Sequence, residues 1–221
     1  GCMQRVASEP ARLRLRVPPA VVITPRSCAE YFSRGRTLSD ELFEEIVSGI
    51  GYLEEKTGRR LGASDKPLFV SVRSGAAVSM PGMMDTILNL GINETTEAAL
   101  AAESGNPQFA ADVRRRFSAL YGKLVAGCLE DLEDLPDTAA VLQAISEETG
   151  SAVPDDPYEA LRGAVCAVFD SSQSRRAKAY RAHYGIPDDI GTAVTIQAMV
   201  FGNLDDDSGT GVVFTRNPLT G

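Results

Sequence analysis

Hydrophobic positions along the chain follow two patterns, short runs of β-branched residues and longer stripes with helical spacing. The runs at residues 20–24, 66–72 and 192–202 predict three strands by their length and composition. In the run at 66–72 alternate residues point to opposite faces, and Arg73 follows at the carboxyl end of the predicted strand. A further run at 210–218 predicts a fourth strand, joined to the third by an acidic turn.

Helical spacing follows the first strand and dominates the middle of the chain. The segment 27–32 predicts a short helix, and Thr37 or Ser39 then offers an N-cap for a longer helix that ends near Gly58. From residue 94 to about 184 the apolar stripes are helical. The order of strands, helical block and returning strands predicts an α+β fold with an all-helical insertion.

Composition and charge exclude several classes of function. With 221 residues, 43% of them hydrophobic, the chain can bury a core. A net charge of −8 argues against sequence-independent nucleic-acid binding, which needs an excess of Lys and Arg. No apolar run is long enough to span a bilayer, so we expect no nucleic acid or membrane as partner and a cytoplasmic location. The sequence neither predicts nor excludes a homodimer.

The four cysteines are widely spaced and form no CxxC pair. This spacing indicates neither a zinc site nor a redox motif, because both use closely spaced cysteines. Free thiols are the simpler interpretation, and the sequence predicts no metal-ligating residues in this chain.

The stretch "SVRSGAAVSMPGMMDT" at residues 71–86 carries the strongest candidate chemistry. Its glycines can turn backbone N–H groups toward one point, and Arg73 adds a bidentate donor, a combination that binds phosphate oxygens. The stretch is neither a Walker A loop nor a GxGxxG motif. On the residues alone, an ordinary strand-to-helix connection stays equally open, with Asp85 capping a helix that starts at Thr86.

Five segments, in order, resemble successive blocks of the nucleotide-binding domain of pyruvate, phosphate dikinase. They are "SVRSGAAVSMPGMMDTILNLGIN", "GNPQFAADVRRRF", "AVFDSSQSRRAKAYR", "GTAVTIQAMVFGN" and "SGTGVVFTRNPLTG". The resemblance runs from about Pro19 to Gly221. Five blocks in the family's order are a far more specific signal than a single motif.

The resemblance implies an ATP-grasp fold, in which two α+β lobes enclose ATP and magnesium. This chain would then be a partial ATP-grasp-like lobe in three parts. Residues 1–93 would form the first lobe with the arginine strand and the phosphate loop, and residues 94–184 the helical insertion. Residues 185–221 would form the return strand, the hinge and the start of the second lobe.

The site that the resemblance implies consists of Arg73, Gly82, Met83, Thr86, Gln197 and Met199. Arg73 would bind the phosphates and take part in catalysis. The loop at 82–86 would close over them, with a glycine allowing close backbone approach and Thr86 donating a hydroxyl. Gln197 and Met199 would lie in the hinge that holds the adenine.

The family's reaction moves the β-phosphoryl group of ATP to a histidine and the γ-phosphoryl group to inorganic phosphate, and the histidine later phosphorylates pyruvate. The family's N-terminal Gly-Gly-Lys segment has no match here, and we expect the Mg²⁺ ligands and the phosphohistidine domain outside this chain. Residues 114–116 resemble a basic helix that meets the phosphohistidine domain, with a solvated helix face as the alternative.

Two functions follow from this combination of matched and unmatched parts. The first is the nucleotide-binding portion of a pyruvate, phosphate dikinase, which uses ATP and Mg²⁺ in the whole enzyme and is inactive as this isolated chain. The alternative is a stand-alone degenerate homologue that binds a nucleotide or a partner without catalysis.

Overall fold

The computed structural model describes residues 3–5, 17–75, 84–204 and 207–211. The strands are β1 (Met3–Arg5), β2 (Ala20–Ile23), β3 (Arg60–Leu61), β4 (Pro67–Leu68), β5 (Val70–Gly75), β6 (Thr86–Leu90) and β7 (Ala193–Ala198). The helices are α1 (Pro25–Ser33), α2 (Asp40–Thr57), α3 (Glu94–Ser104), α4 (Pro107–Tyr121), α5 (Thr138–Thr149), α6 (Pro157–Ser171) and α7 (Arg175–Tyr184). A π-helical turn, Gly122–Ala126, extends α4, and a 3₁₀ turn, Asp188–Ile190, precedes β7.

Five strands form one antiparallel sheet in the order β1-β2-β7-β5-β6, and β3 and β4 form a separate parallel pair. Residues 20–23, 70–72 and 193–198, which come from the three segments predicted as strands, therefore share one sheet, and this confirms the α+β class. The run at 66–72 is interrupted at Phe69, where β4 ends before β5 begins. Residues 212–218 of the fourth predicted strand lie outside the described residues.

The sheet has two chemically different faces. Its inner face is mainly apolar and includes the fully buried side chains of Val21, Ile23, Val70, Val72, Val194 and Ile196. Helices α1, α2 and α6 pack against this face, and side chains from α4 and α6 belong to the same hydrophobic core. The insertion at 94–184 thus shares a core with the sheet, while the boundaries of the three proposed parts stay a prediction.

Local capping chemistry determines the bounds of α2. The Ser39 side chain accepts a hydrogen bond of 3.3 Å from the Leu42 N–H, and Gly58 ends the helix with a φ of 67°. Such a left-handed residue is easiest for glycine, so both predicted ends are confirmed. Helix α1 begins at Pro25, two residues earlier than predicted, because proline suits the first helical position.

The prediction of a helix starting at Thr86 is wrong. Thr86 opens strand β6, which pairs antiparallel with β5. Residues 76–85 therefore connect two neighbouring strands rather than a strand and a helix. Asp85 does not cap a helix, because its carboxylate is paired with Arg176 instead.

Three of the cysteines, Cys28, Cys128 and Cys166, are free thiols, as predicted, and Cys2 lies outside the described residues. None of the helices within the described ranges combines the length and the apolar character needed to cross a bilayer.

Candidate functional site

The candidate site lies on the outer face of the sheet, opposite the apolar inner face. In the register of the central strands, Arg73 on β5 lies directly between Thr86 on β6 and Thr195 on β7. Directly opposed residues of antiparallel strands point to the same face, so these three side chains form one row. The row continues on β7 with Gln197, two residues after Thr195.

Arg73 is exposed, whereas Thr86, Thr195 and Gln197 are partly buried. The Arg73 guanidinium donates a hydrogen bond to the side-chain oxygen of Gln197. The amide nitrogen of Gln197 in turn donates to the Pro18 carbonyl at 2.9 Å. Because Gln197 uses both ends of its amide, it holds Arg73 in a defined direction and connects it to the segment before β2.

The structure thus brings together three of the six residues predicted for the site, namely Arg73, Thr86 and Gln197. Arg73 and Gln197 are 124 residues apart in sequence and in direct contact. Gly82 and Met83 lie outside the described residues, so their predicted roles stay predictions. Sequence reasoning missed Thr195, whose only signal was its alternation with Gln197 in the same strand.

Asp85 marks the point where the loop after β5 returns to the sheet. Its backbone N–H donates to the Ser171 hydroxyl at 3.3 Å, and its carboxylate pairs with Arg176 at 3.0 Å. Both partners come from the α6–α7 region. The sequence contained Arg176 within one of the matched blocks, but nothing in its spacing indicated a partner near Thr86.

Met199, the sixth predicted residue, lies just after β7 in the segment predicted as a hinge. Its N–H donates to the Phe69 carbonyl at 2.9 Å, and the Ala198 N–H donates to the Pro19 carbonyl at 3.1 Å. Phe201 packs edge-on against Phe69, with ring centroids 5.8 Å apart. The segment is therefore anchored to the sheet by both backbone and aromatic contacts.

Two cavities border this segment, and Met199, Val200 and Phe201 line both of them. The larger has a volume of about 660 Å³ and the smaller about 250 Å³. Arg73, Thr86 and Gln197 line neither cavity. The larger one is lined mostly by apolar residues, and its arginine, Arg59, is already bonded to Glu103, so the polar row is the better candidate for anion binding.

The charged groups of the larger cavity are already paired with each other. Arg59 donates to Glu103 at 2.9 Å through one of its two guanidinium contacts, and it also donates to the Pro67 carbonyl at 3.3 Å. The hydrogen bond from Arg59 lowers the pKa of Glu103, and the same bond raises the pKa of Arg59. Both side chains therefore stay ionised and engaged at neutral pH.

The arginines at 114–116 are also paired. Arg114 contacts Glu97 at 2.8 Å, while Arg115 and Arg116 contact Asp112 at 3.0 and 2.7 Å. Within the described ranges, no group of three His, Cys, Asp or Glu side chains could hold a metal ion. Asp85, the carboxylate next to Thr86, is engaged with Arg176. The row formed by Arg73, Thr86, Thr195 and Gln197 contains no carboxylate side chain of its own.

The chain was compared with protein-family models and with characterised proteins. The family model described as "Pyruvate phosphate dikinase, AMP/ATP-binding domain" matches residues 34–221. The chain is 44% identical to a pyruvate, phosphate dikinase of Rhizobium meliloti (strain 1021) over 237 aligned residues, which cover 97% of this chain and 26% of the relative. It is 41% identical to the enzyme of Clostridium symbiosum over 95% of this chain and 27% of the relative.

A chloroplastic pyruvate, phosphate dikinase of Mesembryanthemum crystallinum is 46% identical, with 97% of this chain and 25% of the relative covered. The chain thus spans about a quarter of the length of these relatives. The match includes β5, β6 and β7, the three strands that supply the polar row. The chain belongs to the family of pyruvate phosphate dikinase AMP/ATP-binding domains.

Proposed function

We propose that this chain is the nucleotide-binding portion of a pyruvate, phosphate dikinase and binds the phosphates of ATP on the outer face of its sheet. The single observation that carries the proposal is the register that puts Arg73 between Thr86 and Thr195 and in contact with Gln197. The family description names AMP and ATP as the ligands of such domains.

Arg73 supplies the charge in this proposal. Its guanidinium is exposed, so it can exchange the Gln197 contact for phosphate oxygens without a large desolvation cost. Thr86 adds a hydroxyl donor from the neighbouring strand. Gly82 and Met83, which lie outside the described residues, stay predicted phosphate contacts in this proposal.

The adenine lies toward the hinge segment in this proposal. Gln197 lies near the end of β7 and is the last residue of the polar row on this strand, and Met199 follows just after the strand. Because the Met199 N–H is already bonded to Phe69, Met199 contributes its side chain and its carbonyl rather than its N–H. The larger cavity beside it is apolar enough to accept a flat heterocycle.

The complete reaction requires parts beyond this sheet. We propose an ATP-grasp-like arrangement in which a second lobe supplies the Mg²⁺ ligands and a separate domain carries the phosphorylated histidine. The charge that these groups place around the transferred phosphoryl group accounts for most of the rate in such reactions. The isolated chain is therefore expected to form no phosphoenolpyruvate from ATP, phosphate and pyruvate.

Calorimetric titration with MgATP tests the proposal. We expect weak binding by the unmodified chain, because Arg73 is the one strong cationic contact that the row provides. Arg73→Ala should remove detectable binding, since truncating one side of a charged pair costs about 2–5 kcal/mol, or thirtyfold and more in affinity.

Arg60→Ala is the matched control, because Arg60 is exposed and lies on the separate β3–β4 pair. It should bind MgATP like the unmodified chain. Tight binding that survives Arg73→Ala, or measurable formation of phosphoenolpyruvate, would show that the nucleotide site has been placed wrongly.

A further inference from the structure

Asp85 is attached to two helices that take no part in the polar row. Its N–H bonds the Ser171 hydroxyl at the end of α6, and its carboxylate bonds the Arg176 guanidinium in the first turn of α7. The Asp85 side chain is 22% exposed and that of Arg176 is 60% exposed. The pair is therefore partly shielded from solvent on the carboxylate side.

The two helices hold these partners in fixed positions. Ser171 is buried and donates its hydroxyl proton to the Val168 carbonyl at 2.8 Å. Arg181, which is also buried, ties α7 to the end of α6 through the Ser172 carbonyl at 2.7 Å and to Asp188 at 2.7 Å. Helix α7 therefore presents Arg176 from a rigid support.

The position of Arg176 in α7 is electrostatically unfavourable by itself. Arg175 and Arg176 occupy the first turn of the helix, where the helix dipole favours negative charge, and this turn contains no acidic residue. The Asp85 carboxylate supplies the missing negative charge from another part of the chain. This complementarity indicates that the contact is part of the fold and not an accidental surface pair.

Asp85 directly precedes Thr86, the residue opposite Arg73. Any shift of Asp85 therefore moves the first residue of β6 along or away from β5. A displacement of this kind would change the distance between the Thr86 hydroxyl and the Arg73 guanidinium without disturbing the buried inner face.

We propose that Asp85 and Arg176 form a positioning pair that sets the Thr86 hydroxyl relative to Arg73 for phosphate binding. The inference rests on the proposed function, because it assigns these residues a role in the same nucleotide site. Neither residue contacts the phosphates, and both act through the backbone at Thr86. A nucleoside triphosphate should depend on the pair, whereas adenosine, which has no phosphate, should not.

The direction in which Asp85→Ala changes the affinity for ATP distinguishes a positioning role from a simple charge effect. If only the local charge mattered, Asp85→Ala would strengthen ATP binding, because it removes a negative group close to the phosphate row. Positioning predicts the opposite result, a weaker affinity. Arg176→Ala should weaken ATP binding as well, and Arg176→Lys, which keeps the charge, should restore part of the loss.

The experiment measures the affinities of ATP and adenosine for the full 221-residue chain by NMR titration, which reaches millimolar dissociation constants. We expect Asp85→Ala and Arg176→Ala each to weaken ATP binding about fivefold, the size expected for a partly exposed ion pair. Adenosine affinity should change less than about twofold. The double variant should bind ATP no worse than either single variant, since the two residues act as a unit.

Arg175→Ala is the matched control, because Arg175 is the exposed neighbour of Arg176 and makes no ion pair within the described part of the chain. It should leave the affinity for ATP unchanged. Thermal unfolding of each variant checks that the fold is intact.

Three results would overturn the inference alone: tighter ATP binding by Asp85→Ala, unchanged ATP binding by both single variants, or an equal loss for ATP and adenosine. An unmodified chain that binds no ATP, or that is insensitive to Arg73→Ala, would overturn the proposed function and this role with it.

Discussion

The two faces of the central sheet come from the same strands but have different chemistry. On β7, Val194 and Ile196 are fully buried on the inner face, while Thr195 and Gln197 between and beside them lie partly exposed on the outer face. Because side chains of a strand alternate between its two faces, the six residues of β7 place residues that stabilise the fold on one face and candidate binding residues on the other. Substitutions on one face should therefore leave the property of the other face largely intact.

The largest loss of stability is expected from a substitution on the inner face. Ile196→Ala should lower the free energy of unfolding by about 2–5 kcal/mol, because it leaves a cavity in a fully buried position. Thr195→Ala, one residue earlier, should cost less than about 1 kcal/mol, since its side chain is only partly buried. Urea denaturation with unchanged m-values measures both losses. Equal losses would break the contrast between the faces.

The hydrophobic core under the inner face includes Tyr121. Its buried hydroxyl should make the stability of the fold decrease at alkaline pH. The Tyr121 hydroxyl lies over Gly163, where a Cβ atom would approach it to 2.5 Å. Burial raises the pKa of Tyr121 to about 12, whereas a phenol in the unfolded chain titrates near 10. The folded state keeps the proton that the unfolded state loses, so this stability is complete below about pH 10 and is lost as pH rises through 12.

Tyr121→Phe tests this dependence. Between about pH 9 and 11 the variant should lose about 1 kcal/mol less stability than the unmodified chain, as measured by denaturant unfolding. Tyr184→Phe is the control, because it removes the same hydroxyl from a side chain that is 61% exposed. Identical slopes for all three proteins would mean that Tyr121 titrates normally.

On the outer face, Gln197 should contribute less to stability than Ile196 does on the inner face. Gln197→Ala removes the hydrogen bond to Pro18, and it should lower the free energy of unfolding by about 0.5–1.5 kcal/mol. It also removes the acceptor that orients Arg73, so ATP affinity should fall while the fold stays intact. Gln143→Ala, at an exposed position of helix α5, is the matched control. A large loss of stability with unchanged nucleotide affinity would assign Gln197 to the core instead.

Sequence reasoning succeeded where the determining contacts are short in range. The cap at Ser39 and the left-handed Gly58 act within a few residues of each helix end, so the bounds of α2 could be predicted directly. The contact between Arg73 and Gln197 spans 124 residues. No periodicity encodes such a distance, and only the resemblance of separate blocks to one family implied that both residues share a site.

The wrong helix at Thr86 has a comparable explanation. An acidic residue before an apolar run resembles a helix start, and the run itself, with Thr86 and Ile87 followed by leucines, suits either structure. Residues 86–90 form a strand because they pair with β5. Local sequence patterns do not reveal that the chain returns to pair with β5 at this point. The Asp85 carboxylate is satisfied by Arg176 from α7, a tertiary contact that local patterns cannot indicate.

The central position of β7 has a consequence for how the chain acquires its structure. β7 separates β2 from β5, so these two earlier strands cannot complete their hydrogen bonding until residues 193–198 arrive. Pairings between segments so distant in sequence slow folding, because a long loop must close first. During synthesis from the N-terminus, the facing edges of β2 and β5 stay open while α3 to α7 are made. The nascent chain thus carries two incomplete sheet edges, which favours association with other chains before β7 is added.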